Sequence, residues 1–136
     1  MSTAGEEAVH MQPELHHGLA GERTLMRIHV GEADRFDGQL LYEAIVGVLR
    51  RRKLAGATVT QCVMGFGATR AIHSLMTEYG SLDMPVVIEC VDHEERIQEV
   101  LPELDGMIGG GLITLERAAV IVYRAHSAKN EPEGMP

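Results

Sequence analysis

Two glycine-bearing segments and one cation hold most of the chemistry this sequence offers. Gly65-Phe66-Gly67 is followed by Arg70 and, three residues on, His73. Glycines free the backbone to turn and let its amides come close to a ligand. Arg70 can clamp a phosphate or carboxylate through two parallel hydrogen bonds. His73 can touch the same ligand or respond to pH near neutrality. The second segment, Gly109-Gly110-Gly111, offers consecutive amides that can form an anion-holding concavity. Each feature also has a plainer role. Gly-Phe-Gly suits a strand-end turn around a packed ring, Arg70 and His73 suit a solvated loop, and three glycines suit a helix stop and a sharp turn.

Other chemistries find little support. Neither glycine segment has the Walker spacing, and no G-x-G-x-x-G opens a helix after a strand. Ser74 beside His73 is not a dyad, because adjacency in a loop does not create attack geometry. Glu94, Glu95 and Glu99 read as a solvated helix face. No catalytic residue is therefore named, and the chain reads as a non-enzyme. Cys62, Cys90, His29 and His73 lack a C-x-x-C or H-x₃-H framework, so no metal ligand is assigned. Cys62 and Cys90 lie in apolar strand patterns and read as reduced, buried thiols of a cytoplasmic protein.

The formal net charge of −8 argues against sequence-independent nucleic-acid binding, which needs a dense cationic face. The one basic cluster, Arg50-Arg51-Arg52-Lys53, closes a predicted helix, where cations complement the carbonyl end; an acidic-partner patch is its other reading. No run approaches the roughly 18 apolar residues of a membrane span, and residues 1–18 have no signal-like apolar centre.

These residues must be positioned by a patterned body, residues 21–124, between polar tails at 1–20 and 125–136 that are expected to be mobile. Leu25, Arg27 and His29 alternate with Met26, Ile28 and Val30, which is strand periodicity. Asp37 is expected to cap a helix whose stripe is Leu41, Ala44, Ile45, Val48 and Leu49, with Gly56 stopping it. Residues 58–64 form a second strand, and 85–91 a third that starts at Pro85. Asp92 with Glu95 predicts a capping box opening a second helix, with Ile97, Val100, Leu101 and Leu104 buried and Pro102 causing a kink or a fresh turn. A last strand, with a bulge near Arg117, runs from Leu112 to Tyr123. The connection over 65–83, about nineteen residues inside a hairpin, is far longer than such loops usually are.

The order is β-α-β, loop, β-α-β. The fold class is α+β: a ferredoxin-like arrangement, with an antiparallel four-stranded sheet in spatial order 4-1-3-2 and two helices on one face. Alternation then places Arg27 and His29 on the uncovered face with Val87 and Glu89, and apolar side chains on a bare face suggest a partner surface. Arg27 and Glu89 are expected to pair across strands. These four residues are the candidate oligomer interface.

The segments GEADRFDGQLLYEAIV, LAGATVTQCVMGFGATRAIH, MPVVIECVD and LPELDGMIGGGLITLERAAVI resemble, in order, the family called domain of unknown function 190, grouped with PII-like trimeric signalling proteins. Two departures stand out: Leu40 occupies a position where that family tends to have proline, and Gln61-Cys62 replaces a typical Arg-Gly. The resemblance implies a homotrimer with sheets toward the centre, a flexible T-loop starting at Gly65, and a phosphate-facing loop at 109–111. It also implies a small anionic effector, an adenine nucleotide in the PII relatives, held between subunits. Gly65, Phe66, Gly67, Arg70 and His73 would lie on one side and Gly109, Gly110 and Gly111 on the other. A membrane transporter or channel is the partner implied. The copper-tolerance CutA proteins share this architecture and supply a metal-homeostasis alternative, with His29, Cys62 and His73 as donors.

Overall fold

The computed structural model describes residues 17–68, 73, 74 and 83–126, with only the backbone described at 17, 73 and 74. The expected tails lie largely outside these residues. Four long strands form one antiparallel sheet: β1 (Gly21–Gly31), β4 (Thr58–Gln61), β7 (Pro85–Asp92) and β8 (Leu112–Val120). Their spatial order is β4-β7-β1-β8, the expected order. Helix α1 (Leu41–Arg51) and helix α2 (Glu94–Met107) cover one face. Two small ladders complete the fold, β2 (Arg35–Phe36) with β3 (Gln39–Leu40), and β5 (Met64–Gly65) with β6 (His73–Ser74).

The two central strands follow directly from their alternation. Met26, Ile28 and Val30 of β1 and Val86, Ile88 and Cys90 of β7 are all buried under the helices. They pack against Ile45, Val48 and Leu49 of α1 and Ile97, Val100 and Leu104 of α2 in one core. Each fully buried aliphatic side chain contributes roughly 1.5–3 kcal/mol, so this layer holds the sheet and helices together.

Local chemistry corrects several expectations. Asp37 does not cap α1. It and Gly38 take φ of 51° and 84° in the β2–β3 hairpin, the backbone of a tight two-residue turn. Residue Leu40 occupies the N-cap with φ −64°, the angle a proline ring would impose, so the departure from proline preserves the local backbone. Gly56 does not end α1 either. Lys53 adopts φ 62°, and Leu54 N donates to Leu49 O (3.0 Å) while Lys53 N donates to Arg50 O (3.0 Å), the paired bonds of a left-handed helix stop. The strand expected over 58–64 ends at Gln61, helix α2 runs through Pro102 without restarting, and β8 pairs with β1 without a bulge.

Asp92 does not form the expected capping box, since His93 is the N-cap of α2 and no side chain caps it. Asp92 is instead fully buried, accepting bonds from Ala55 N (2.7 Å) and His93 N (2.7 Å). A buried carboxylate needs such partners, and here they tie the α1–β4 link to the β7–α2 corner. Tyr123 Oη donates to Ala55 O (2.7 Å), so the chain beyond β8 is fastened to the same corner. No helix among the described residues is long and apolar enough to cross a membrane.

Candidate functional site

The first glycine segment sits at one end of the sheet, beside β7. Pairing between β4 and β7 extends past Gln61 through Cys62 N donating to Pro85 O (2.8 Å). The chain then enters β5, which pairs antiparallel with β6 so that Gly65 faces His73 and Met64 faces Ser74. The 65–83 connection therefore carries a narrow two-residue ladder at Gly65 and His73–Ser74 with Met64. That brings Gly65 and His73 together along the backbone, as the sequence could not show. A Cβ on Gly65 would stand 3.2 Å from Pro85 Cγ, and Phe66 is exposed. Arg70 lies outside the described residues.

The second segment follows α2 at the same end of the sheet, next to β1. Gly111 has φ 156°, and a Cβ there would lie 2.6 Å from His29 O. Its glycine is explained by structure alone. Gly109 and Gly110 have no positive φ, and a Cβ on either would meet open space. Neither the backbone nor the neighbours require glycine at those two positions.

The two segments share an end of the sheet and adjoin its opposite edge strands. Strands β7 and β1 stand between β4 and β8. Three strand spacings of about 4.8 Å put the outer strands roughly 14 Å apart. Around the loop base, Gln61 Nε2 donates to Glu32 Oε2 (2.9 Å), so the position where an arginine was anticipated is neutral and engaged. Asp34 accepts from Gly31 N (2.9 Å) and Asp83 from Ala33 N (2.9 Å), fixing the turn that follows β1.

The face that the helices leave open carries the expected interface residues. Arg27 lies opposite Glu89 in the β1–β7 register and donates from Nε to Glu89 Oε2 (2.7 Å). It also donates through Nη1 to Glu116 Oε1, a partner the sequence reading missed. The bond to Glu89 and the charge of Glu116 raise the Arg27 pKa above its ordinary value, so the cation is held firmly. His29 and Val87 face each other on this same surface, with Leu112 beyond His29. Leu112 is exposed, as are Val63 and Met64 at the opposite edge.

Metal chemistry finds no support here. Among the described residues, no group of three or more His, Cys, Asp or Glu side chains can hold a metal ion. Cys90 is buried and its thiol is pushed up to about 12 by desolvation first and the Asp92 charge second, which makes it a poor ligand. Cys62, expected to be buried, is half-exposed at the β4 edge. The CutA-like alternative therefore gains nothing from the geometry.

The model of the DUF190 family, described as an uncharacterised ACR family, matches residues 23–120. A UPF0166 protein from Methanocaldococcus jannaschii is 39% identical over 92 residues, covering 67% of this chain and 84% of that protein. Another UPF0166 protein, from Aquifex aeolicus, is 39% identical over 102 residues, covering 74% of this chain and 94% of its own length. Among solved structures, a candidate PII-like signaling protein from Thermus thermophilus superposes with a TM-score of 0.53 at 20% identity, covering 74% of this chain and 91% of that one.

Proposed function

The chain belongs to the DUF190 family, and on that premise we propose that it is a PII-like signalling protein, a homotrimer that binds a small anionic effector in the clefts between its subunits. The observation that carries this reading is the separation of the two glycine segments. They adjoin opposite edge strands at the same end of one sheet, edges that two further strands hold roughly 14 Å apart. Closing three sheets about an axis, open faces inward, sets the β4 edge of one copy beside the β8 edge of the next. The two segments then line one cleft. The PII-like fold, the exposed Leu112 on the open face and the open space around Gly109 and Gly110 support the same arrangement.

In this reading Gly65, Phe66, Gly67, Arg70 and His73 approach the effector from one copy, and Gly109, Gly110 and Gly111 from its neighbour. An adenine nucleotide fits the required chemistry, a polyanion that amides and one arginine can grip. Binding biases the conformation of the 65–83 loop, and that loop contacts a partner such as a transporter or channel. A hundredfold preference for one loop state is worth about 2.7 kcal/mol, enough to shift a balanced equilibrium. The protein acts in the cytoplasm, without nucleic acid, and catalyses nothing.

Calorimetry with AMP, ADP and ATP tests this. At least one nucleotide should bind, and Arg70→Ala should weaken it by roughly ten- to a hundredfold, the loss of a charge-assisted hydrogen bond. Heat signals indistinguishable from dilution across the whole panel at millimolar nucleotide would end the proposal.

A further inference from the structure

A groove of about 400 Å³ opens between α1, α2 and the β2–β3 hairpin. It is lined by buried Ala44, Val48 and Met107, by half-buried Phe36, and by Pro102 and Gly106 of α2. Gly106 adds no side chain, and a Cβ there would meet nothing within 4 Å, so the groove is open at that point. Such a recess admits a large apolar side chain from outside.

The rim is cationic. Arg51 and Glu103 border the groove, and Arg50, Arg52 and Lys53 adjoin Arg51 at the end of α1, all four basic residues exposed. Glu103 accepts from Arg52 Nε (2.7 Å) and Arg51 Nη2 (2.5 Å), and the bond from Arg52 leads in holding its carboxyl below the ordinary range. Arg50 and Lys53 enter none of the ion pairs among the described residues, nor does Glu99, one turn before Glu103 on α2. Four cations therefore have one carboxylate within ion-pair reach, in a chain whose net charge is −8. These side chains are not needed to cap α1, because Val48 O, Leu49 O and Arg50 O already accept from the amides of Arg52, Leu54 and Lys53.

We propose that this groove and its cationic rim dock a short acidic segment of a partner protein. An aromatic or long aliphatic side chain enters the groove, and the flanking carboxylates meet Arg50, Arg51, Arg52 and Lys53. Arginine suits this role, since a guanidinium grips a carboxylate through two parallel bonds. Complementary charge selects the partner and speeds the encounter, while the buried apolar anchor supplies most of the affinity. The groove lies among the helices, on the covered side of the sheet, so docking here needs neither the trimer nor the effector.

Fluorescence anisotropy of the full chain with a labelled synthetic peptide, glutamates and aspartates around a central phenylalanine, tests this. The peptide should bind with a Kd on the order of 100 μM or tighter. The same peptide with alanine for phenylalanine should bind about tenfold more weakly, the loss of a buried aromatic side chain. Gly106→Leu, which fills the groove with a good helix former, should weaken the parent peptide about tenfold. Arg50→Glu with Lys53→Asn should weaken it at least as much; asparagine tolerates the φ of 62° at position 53. Both variants should melt with the parent, since none of the three positions has a buried side chain. Unchanged anisotropy at millimolar protein, equal affinity for the two peptides, or parent-like binding by either variant overturns the inference. Capture of the chain by phosphatidylglycerol vesicles, with no competition from the peptide, also overturns it and assigns the cations to a membrane surface instead.

Discussion

Replacing Gly111 by alanine is expected to destabilise the fold by about 3 kcal/mol or more, from steric strain at one backbone position. Gly111 holds φ 156°, and a methyl group there would meet His29 O at 2.6 Å. The carbonyl cannot retreat freely. His29 is paired on one side with Val87 and on the other with Leu112, so moving it disturbs two ladders in the middle of the sheet. Relief requires either breaking the first β1–β8 pair or forcing alanine through a conformation that glycine tolerates and other residues rarely adopt. Urea denaturation measures the loss, and a fall in Tm on the order of 10 °C should accompany it. A variant melting with the parent would mean that the chain relaxes at this corner without cost, and that the β1–β8 junction is looser than its pairing implies.

The neighbouring glycine should behave in the opposite way. Gly110→Asp is expected to leave stability within roughly 0.5 kcal/mol of the parent while weakening nucleotide binding at least a hundredfold. Open space surrounds the position, and its backbone needs no positive φ, so a side chain can be accommodated in the unliganded fold. In the proposed cleft, that side chain would stand where a phosphate must approach the backbone amides, and its charge would repel the ligand. Calorimetry beside thermal melting separates the two effects. Unchanged affinity with unchanged Tm would show that the 109–111 segment is only a turn.

The contrast between these two glycines also shows how far the sequence could be read. A run of three glycines announces either a stop or a cradle, and spacing alone could not divide the roles. The division appears only when β8 is docked on β1 and one of the three lies against His29 O. Central strands were legible because burial on one face imposes strict alternation, as in Met26-Ile28-Val30 and Val86-Ile88-Cys90. Their adjacency also made the Arg27–Glu89 pair readable. Glu116 was missed because β8 is an edge strand with a largely exposed pattern, which leaves its register open in the sequence.

Caps failed for a related reason. Asp37 and Asp92 have the right chemistry for helix starts, but one is needed in a hairpin turn and the other in a buried corner. Lys53 in a left-handed helix stop could not be foreseen, because glycine is the usual signal for it and Gly56 stood nearby. The β5–β6 ladder inside the long connection was hidden by its brevity: two residues on each side leave no periodicity to detect. What no single chain can display is the proposed join between copies, where the reading above completes the candidate site.

A complementation experiment tests that join most directly. Chains carrying Gly110→Asp and chains carrying Arg70→Ala are each expected to lose tight nucleotide binding. Mixed, refolded together and assembled at random, they should regain it in about a quarter of clefts, those pairing an intact glycine loop with an intact Arg70 from the adjacent copy. Recovery near that fraction is the predicted result. No recovery in mixed trimers, or a chain that sediments at its own 14.9 kDa, would contradict a site built from two copies.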